Sequence, residues 1–367
     1  MVCYRSLERP DDVLSVTDIN FDNFNLTKLP DWLPECVNVK KLVFGKGTIK
    51  TITGLPCGLE YLDCSHNHIT DLGKLPTSLV MLDCSCNKIK KFKQYLPRSL
   101  TTLYCDYNKL TGFGPQGTLG DKLTKLHCQR NNIKKLNGLP DSIVELNCER
   151  NKLNSITQLP INLKILKIGY NGQLKSIDVP LPLGLEVLHC NYCIKLKSLD
   201  NVLPEGLITL MCQNCYAIKQ LNNLPTTIEW LSCGYCNISR IGLLPTNLIN
   251  FYCEYNNITV FDHLPYNLEM FMCDNNKLTQ LPPLSSKLQS LSCNNNNLTH
   301  IDDFPPLLYR LACINNKLTH VHESIFGCNQ LHQAIIGHND MSTSTLNEFK
   351  QKFVSTGQAK HSTCYLG

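Results

Sequence analysis

No stretch of the 367 residues approaches the ~18 consecutive apolar residues of a membrane span. The opening, Met1 to Asp12, carries Arg5, Glu8, Arg9, Asp11 and Asp12 without an apolar core, so it does not read as a secretory leader. A formal net charge of +5 is spread without a dense basic run, which argues against nucleic-acid binding by a basic stripe. There is no glycine-rich loop to cradle phosphate, and no Ser/His/Asp or paired-carboxylate constellation recurs at one level. His66, His127 and His189 are scattered. The expectation is a protein with no catalytic centre, no cofactor, no metal site, no membrane span and no nucleic-acid partner.

What is present is a period. The stretch Leu59-x-x-Leu62-x-Cys64-x-x-Asn67-x-Ile69-x-x-Leu72 recurs along almost the whole chain. Its sixth position is filled by Phe21, Phe44, Cys64, Cys84, Cys105, Cys128, Cys148, Ile168, Cys190, Cys212, Cys233, Cys253, Cys273, Cys293, Cys313 and Ile336, sixteen units spaced 20 to 23 residues apart. This is the leucine-rich-repeat pattern. Around Leu62 and Cys64 apolar and polar residues alternate with period two, the mark of a strand with one buried face. Such a unit cannot bury that face alone, so neighbouring units must stack, their strands parallel and their return segments serving as crossovers. Asparagine holds the ninth position in Asn67, Asn87, Asn108, Asn131, Asn151, Asn171, Asn256, Asn276, Asn296, Asn316 and Asn339. An amide there can donate to and accept from backbone groups of its own and adjacent turns, a structural role. Leu-Pro pairs such as Leu55-Pro56, Leu75-Pro76 and Leu139-Pro140 precede the next strand and predict extended or polyproline-like returns, without helix in most units.

Of the 21 cysteines, twelve occupy the sixth column and three (Cys193, Cys215, Cys236) the ninth. Cys190-x-x-Cys193, Cys212-x-x-Cys215 and Cys233-x-x-Cys236 have thiolate-ligand spacing. Both members of each pair are nonetheless explained by separate columns, and buried free cysteine behaves as a small hydrophobe. So heavy a use of it suits a reducing compartment, and the chain is expected to be cytoplasmic. The Asn-x-Ser/Thr sequons at Asn25, Asn237, Asn257 and Asn297 are then by-products of the repeat.

The fold expectation is therefore an α/β solenoid, mostly β. Residues 1–15 are expected as an N-terminal cap, 16–341 as the repeats, and 342–367 as a capping helix and tail. Thr345-x-x-Glu348 reads as the helix's capping box, with Leu346, Phe349, Phe353 and Val354 as its apolar face. The final Cys364-Tyr365-Leu366-Gly367 lacks a usual prenylation ending and is expected to fray.

Function should lie on the surface formed by strand columns three, five and eight, the expected concave face. The interface-type residues there are Tyr104, Tyr107, Arg130, Arg150, Tyr170, Tyr192, Trp230, Tyr235, Tyr252, Tyr255, Met270 and Met272. Truncating Trp230 or Tyr252 is expected to weaken partner binding while changing stability little. Asp18, Asp22, Asp63, Asp83 and Asp106 make the N-terminal end more acidic.

Leu72-Gly-Lys-Leu75-Pro76-Thr-Ser-Leu79-x-x-Leu82-x-Cys84-x-x-Asn87 resembles the short repeat of YopM-type and IpaH-type bacterial effectors, and Leu281-Pro282-Pro283-Leu284 reproduces the front of that repeat most closely. The chain departs from it in using Cys where that family has Val and in usually lacking the first Pro. The Cys-rich, Asn/Lys/Ile-biased version resembles leucine-rich-repeat proteins of giant amoebal DNA viruses or intracellular bacteria. The resemblance implies a non-enzymatic binder acting in a eukaryotic host cytosol; a protein partner and a monomeric chain are expected. IpaH-type ligases carry a large catalytic domain after the repeats; some 26 residues follow here, so that activity is not implied. The alternative is a substrate-recognition adaptor of a ubiquitin-ligase or phosphatase complex, with chemistry supplied in trans.

Overall fold

The computed structural model describes residues 3–22, 24–355 and 363–365, and places every repeat in one turn of a β-solenoid of about sixteen turns. Two compact units divide the chain, Met1–Leu185 and Glu186–Gly367. In the first, strands run Asp18–Asn20, Lys41–Val43, Tyr61–Asp63, Met81–Asp83, Thr102–Tyr104, Lys125–His127, Glu145–Asn147 and Ile165–Lys167. Each pairs in parallel with the next in strict register, as in Leu62 with Leu82 and Leu82 with Leu103. In the second, Val187–His189, Thr209–Met211, Trp230–Ser232, Asn250–Tyr252, Met270–Met272, Ser290–Ser292, Arg310–Ala312 and Gln333–Ile335 do the same.

Each strand is three residues long because only the central one must face the core. Leu59, Leu62, Cys64 and Ile69 have no exposed surface, and Leu72 has 5%. The flanking third- and fifth-position side chains are half-buried on the open face of most strands, with Lys41 and Arg310 exposed and Ser290 and Ser292 buried. In the second unit the central position turns aromatic: Phe251 and Phe271 stack at 5.4 Å, with Phe261 edge-on to both.

The ninth-position asparagines bond as the pattern requires. Asn87 Oδ1 accepts from Ile69 N (2.8 Å), and its Nδ2 donates to Cys64 O (3.0 Å) and Cys84 O (3.1 Å). Asn108, Asn276 and Asn296 repeat the set. Where cysteine replaces asparagine, the thiol takes over part of the work. Cys215 Sγ donates to Cys190 O (3.2 Å) and Cys236 Sγ to Cys212 O (3.0 Å), while Cys215 N donates to Cys236 Sγ.

The sixth-position cysteines do more than fill space. Cys64, Cys84, Cys105 and Cys128 each donate Sγ–H to a main-chain carbonyl of the following strand, at 3.3–3.4 Å. Valine could not make this contact, which gives cysteine a physical reason in the column beyond its size. Burial raises the thiols of Cys64, Cys105, Cys128, Cys233, Cys253 and Cys273 well above the ordinary range, so they hold their protons.

The returns are extended, with two refinements. In most returns a proline carbonyl closes a turn on the first-position residue, as Pro76 O accepts from Leu79 N (3.2 Å) and Pro97 O from Leu100 N (3.0 Å). Short parallel ladders also join returns, Ser155–Ile156 with Ser176–Ile177 and Gln220–Leu221 with Arg240–Ile241. One-turn 3-10 helices occur at Leu33–Glu35 and Glu323–Gly327, both inside 23-residue spacings where three extra residues leave room for a turn.

At the N-terminal end Cys3–Tyr4 adds a rung beside Asp18–Ile19, and Trp32 packs edge-on to Tyr4 and Phe21. At the other end the helix spans Thr343–Ser355 and buries Phe349 and Phe353, with Phe326 against Phe349. Its cap differs from the expectation. Ser342 Oγ accepts from Thr345 N (3.1 Å), so Ser342 is the N-cap and Thr345 lies one turn inside, not at the start of a box with Glu348. The tail also differs: Thr363–Tyr365 pairs in parallel with Gln333–Ile335, satisfying an otherwise open sheet edge. The side chain of Val354, and Leu366 and Gly367, lie outside the described residues. No helix among the described residues is long and apolar enough to cross a membrane.

Candidate functional site on the open face of the strand ladder

Columns three, five, seven and eight of successive repeats project from the side of the sheet away from the core. The eighth position has a backbone property that polarity does not reveal. Tyr107, Arg130, Arg150 and Tyr170, then Tyr192, Tyr235 and Tyr255, all have φ between 52° and 59°, in the left-handed region. The chain bends sharply there after each strand. A side chain other than Gly, Asn or Asp in this conformation costs of order 1 kcal/mol and persists where its contacts compensate.

In the first unit those contacts are cation–π. Arg150 lies 3.8 Å from the centroid of the Tyr170 ring and Arg130 4.9 Å from that of Tyr107. Tyr104, in column five, stands edge-on to His127 at 5.0 Å; His127 Nε2 meets Glu145 Oε1 at 2.6 Å, and Lys125 Nζ bridges to Glu145 Oε2 at 3.0 Å. Beside this network runs the acidic row. Asp63 and Asp83 each accept from the amide two residues on, and Asp106 Oδ1 accepts from Gln129 N (2.8 Å). Burial, with Asp83 as a like-charged neighbour, outweighs that bond and the nearby His127, pushing the Asp106 carboxyl up to about 6. Burial raises Asp83 as well, with Asp63 adding to it.

The second unit carries a different arrangement. Trp230 stacks on Tyr252 at 5.3 Å and 26°, and Tyr252 Oη donates to Met270 Sδ at 3.6 Å. Met272 stands beside Tyr252 in register. Tyr235 and Tyr255 stack at 4.2 Å and 13° and remain 40% and 47% exposed, so this pair offers its surface to solvent. Tyr192, also in column eight, is exposed. The twelve expected residues thus fall in two groups, five on the first unit and seven on the second. Trp230 and Tyr252 sit outside the core as expected, but both are half-buried and the indole Nε1 is fully covered. Truncating either therefore removes a stacked pair, which contributes roughly 0.5–1.5 kcal/mol.

Column seven continues the open face but carries none of the twelve expected residues. Several of its side chains cap the next repeat: Asp22 Oδ1 accepts from Gly45 N, Asn191 Oδ1 from Gln213 N, and Asp274 Oδ1 from Asn294 N. Glu254 does not follow them. Its Oε2 is buried without a hydrogen-bond partner, and its carboxylate lies over Gly234, where an added Cβ would meet Oε1 at 2.8 Å. The signal in sequence was the glycine at position 234 beneath an acid one repeat later.

Among the described residues no group of three or more His, Cys, Asp or Glu is arranged to hold a metal ion. On the return side a cavity of about 80 Å³, lined by Asp71, Gly73, Phe92, Lys93 and Gln94 among others, has room for a few waters, and a larger one of about 520 Å³ is lined mostly by apolar residues such as Leu159, Ile161, Val179 and Leu181.

Comparison with known proteins supports the fold. A leucine-rich-repeat protein of Leptospira interrogans superposes with a TM-score of 0.60 at 21% identity, over 99% of this chain and 99% of its own. The leucine-rich-repeat ectodomain of an Arabidopsis thaliana membrane receptor kinase gives 0.50 at 17% identity, over 85% of this chain and 43% of its own. YopM from Yersinia enterocolitica gives 0.44 at 21% identity, over 88% and 87%. No protein-family model matches the sequence, and no curated protein matches it.

Proposed function

From this leucine-rich-repeat fold we propose that the chain is a non-catalytic protein-interaction scaffold that binds a protein partner on the open face of its strand ladder. The observation that carries the reading is the cluster of Trp230, Tyr252, Met270 and Met272 on adjacent rungs, half-buried and held by register on a rigid sheet. Aromatic and methionine anchors already fixed in place lose little freedom on binding, the usual composition of an interface hot spot. The Arabidopsis ectodomain is itself in complex with Casparian strip integrity factor 2, which supports binding as a use of the fold. A reducing, cytosolic setting fits column thiols that donate to main-chain carbonyls. A host-directed role rests on the resemblance of the repeat to effector repeats.

The test is affinity purification from eukaryotic cytosol with the wild type, Trp230→Ala, Tyr252→Ala, and the return-side controls Lys74→Ala and Gln158→Ala, each matched for folded fraction. The expected result is a partner retained by the controls and weakened by roughly 2 kcal/mol or more in each aromatic variant. A partner lost only with the controls would overturn the reading.

A further inference from the structure

We propose that the open face of the second unit recognises an arginine side chain of its protein partner, held against the Trp230–Tyr252 and Tyr235–Tyr255 pairs in the field of the Glu254 carboxylate. The inference rests on the protein-binding reading above and gives that partner a chemistry.

Three observations converge. First, Glu254 occupies the seventh position, between Tyr252 and Tyr255 in the chain, each one member of a stacked aromatic pair, and its carboxylate lies over Gly234, next to Tyr235. Burial raises the Tyr252 hydroxyl and Glu254 adds to it, while at Tyr235 burial and the neighbouring Tyr255 come first and Glu254 contributes after them. Second, no cation on the nearby rungs faces that charge. Glu254 Oε2 has no hydrogen-bond partner; burial raises the carboxyl, the residue's own backbone amide lowers it in part, and Asp274 on the next rung raises it. On the five rungs from Thr209 to Ser292, columns three, five, seven and eight contain Glu254 and Asp274 and no Lys, Arg or His. An opposite charge within ~4–6 Å stabilises a carboxylate without touching its covered oxygen. Third, the chain shows what its eighth-column tyrosines hold when a cation is at hand. In the first unit Arg150 covers Tyr170 and Arg130 covers Tyr107. The Tyr235–Tyr255 pair has the same position and backbone geometry, with an acid beside it and no arginine on its neighbouring rungs.

A planar guanidinium suits this setting better than an ammonium, because it stacks on aromatic faces while its edge remains free to donate toward a carboxylate. Gly234 contributes by leaving space for Glu254 to lie over the strand.

The experiment uses the full chain and a phage-displayed library of random twelve-residue peptides, selected on the wild type and counter-selected on Trp230→Ala. The expected outcome is enrichment of peptides containing arginine. In the best of them, replacing that arginine by citrulline, its neutral isostere, should weaken binding at least tenfold. Glu254→Gln should weaken the same peptide at least tenfold while leaving its citrulline form unchanged. The ligand-side replacement is independent of any effect on folding. Peptides that depend on Trp230 but lack arginine, or bind equally well with citrulline, would overturn this inference and leave the protein-binding reading standing. A selection that yields no Trp230-dependent peptide would overturn both. Lysine in place of arginine is expected to bind more weakly; equal binding would overturn the assignment of a guanidinium.

Discussion

Replacing Asn87 separates the contributions that hold adjacent repeats together. Its Oδ1 is the acceptor for Ile69 N–H, and its Nδ2 donates to Cys64 O and Cys84 O, all buried. The carbonyls are shared along the ladder: Cys64 O also accepts from Asn67 (3.3 Å) and Cys84 O from Asn108 (2.9 Å). Asn87→Ala therefore orphans one amide outright and weakens two buried carbonyls, and the part-buried Ser85 O, without stripping them. An unpaired buried amide costs about 1–3 kcal/mol and each lost carbonyl bond about 0.5–1 kcal/mol, so a loss of roughly 2–4 kcal/mol is expected. Asn87→Cys should cost less, about 1–2 kcal/mol, because a thiol can accept one amide and donate to one carbonyl as Cys236 does. Asn87→Asp should cost the most, since a carboxylate would face the two carbonyls that the amide now serves. The assay is urea unfolding followed by circular dichroism, with hydrogen exchange at the Ile69 amide as a local readout, because long repeat arrays need not unfold in one step. Equal losses for Ala and Cys, or a loss below about 1 kcal/mol for Ala, would refute the reasoning.

Asp106→Asn is expected to stabilise the protein at pH 7 by roughly 1–2 kcal/mol while keeping the acceptor for Gln129 N. An Asp whose folded pKa of about 6 lies above its unfolded value binds its proton more tightly when folded. Its contribution to stability therefore falls as pH rises from about 4 to about 6, and urea midpoints across that window should flatten in the variant. Among the cysteines whose side chains are described, alkylation by iodoacetamide under native conditions, read by peptide mapping, should reach the exposed Cys57 first and Cys86 next, while Cys64, Cys84 and Cys105 stay protected until unfolding. Column thiols labelled in the folded protein would contradict that packing. Tyr255→Val should be less stable than Tyr255→Asn by about 1–2 kcal/mol, because φ of 55° is open to asparagine and strained for a β-branched residue. Thermal unfolding of the two variants decides it.

The period, the buried columns and the asparagine ladder were legible in the sequence because each is written many times over in one register. Less legible was whatever depends on backbone conformation or on one particular neighbour. Tyrosine and arginine do not announce a left-handed position, so the bend at Tyr107 through Tyr255 was invisible to a reading by polarity. The thiol bond from Cys84 to Tyr104 O could not be told from simple hydrophobic substitution. Thr345 and Glu348 have capping-box spacing, yet Ser342 precedes them and takes the amide first. On the open face, residue type singled out Trp230 and Tyr252 but not their stacking, and it passed over Glu254 because carboxylates are depleted at ordinary interfaces.

The central claim, that partners bind the open face of the strand ladder, is tested most directly by hydrogen exchange on the full chain with and without a selected Trp230-dependent peptide at saturation. The account predicts that added protection is confined to the strands around Trp230–Ser232, Asn250–Tyr252 and Met270–Met272 and the bends that follow them. Protection confined to the return segments or to the C-terminal helix Thr343–Ser355 would contradict it.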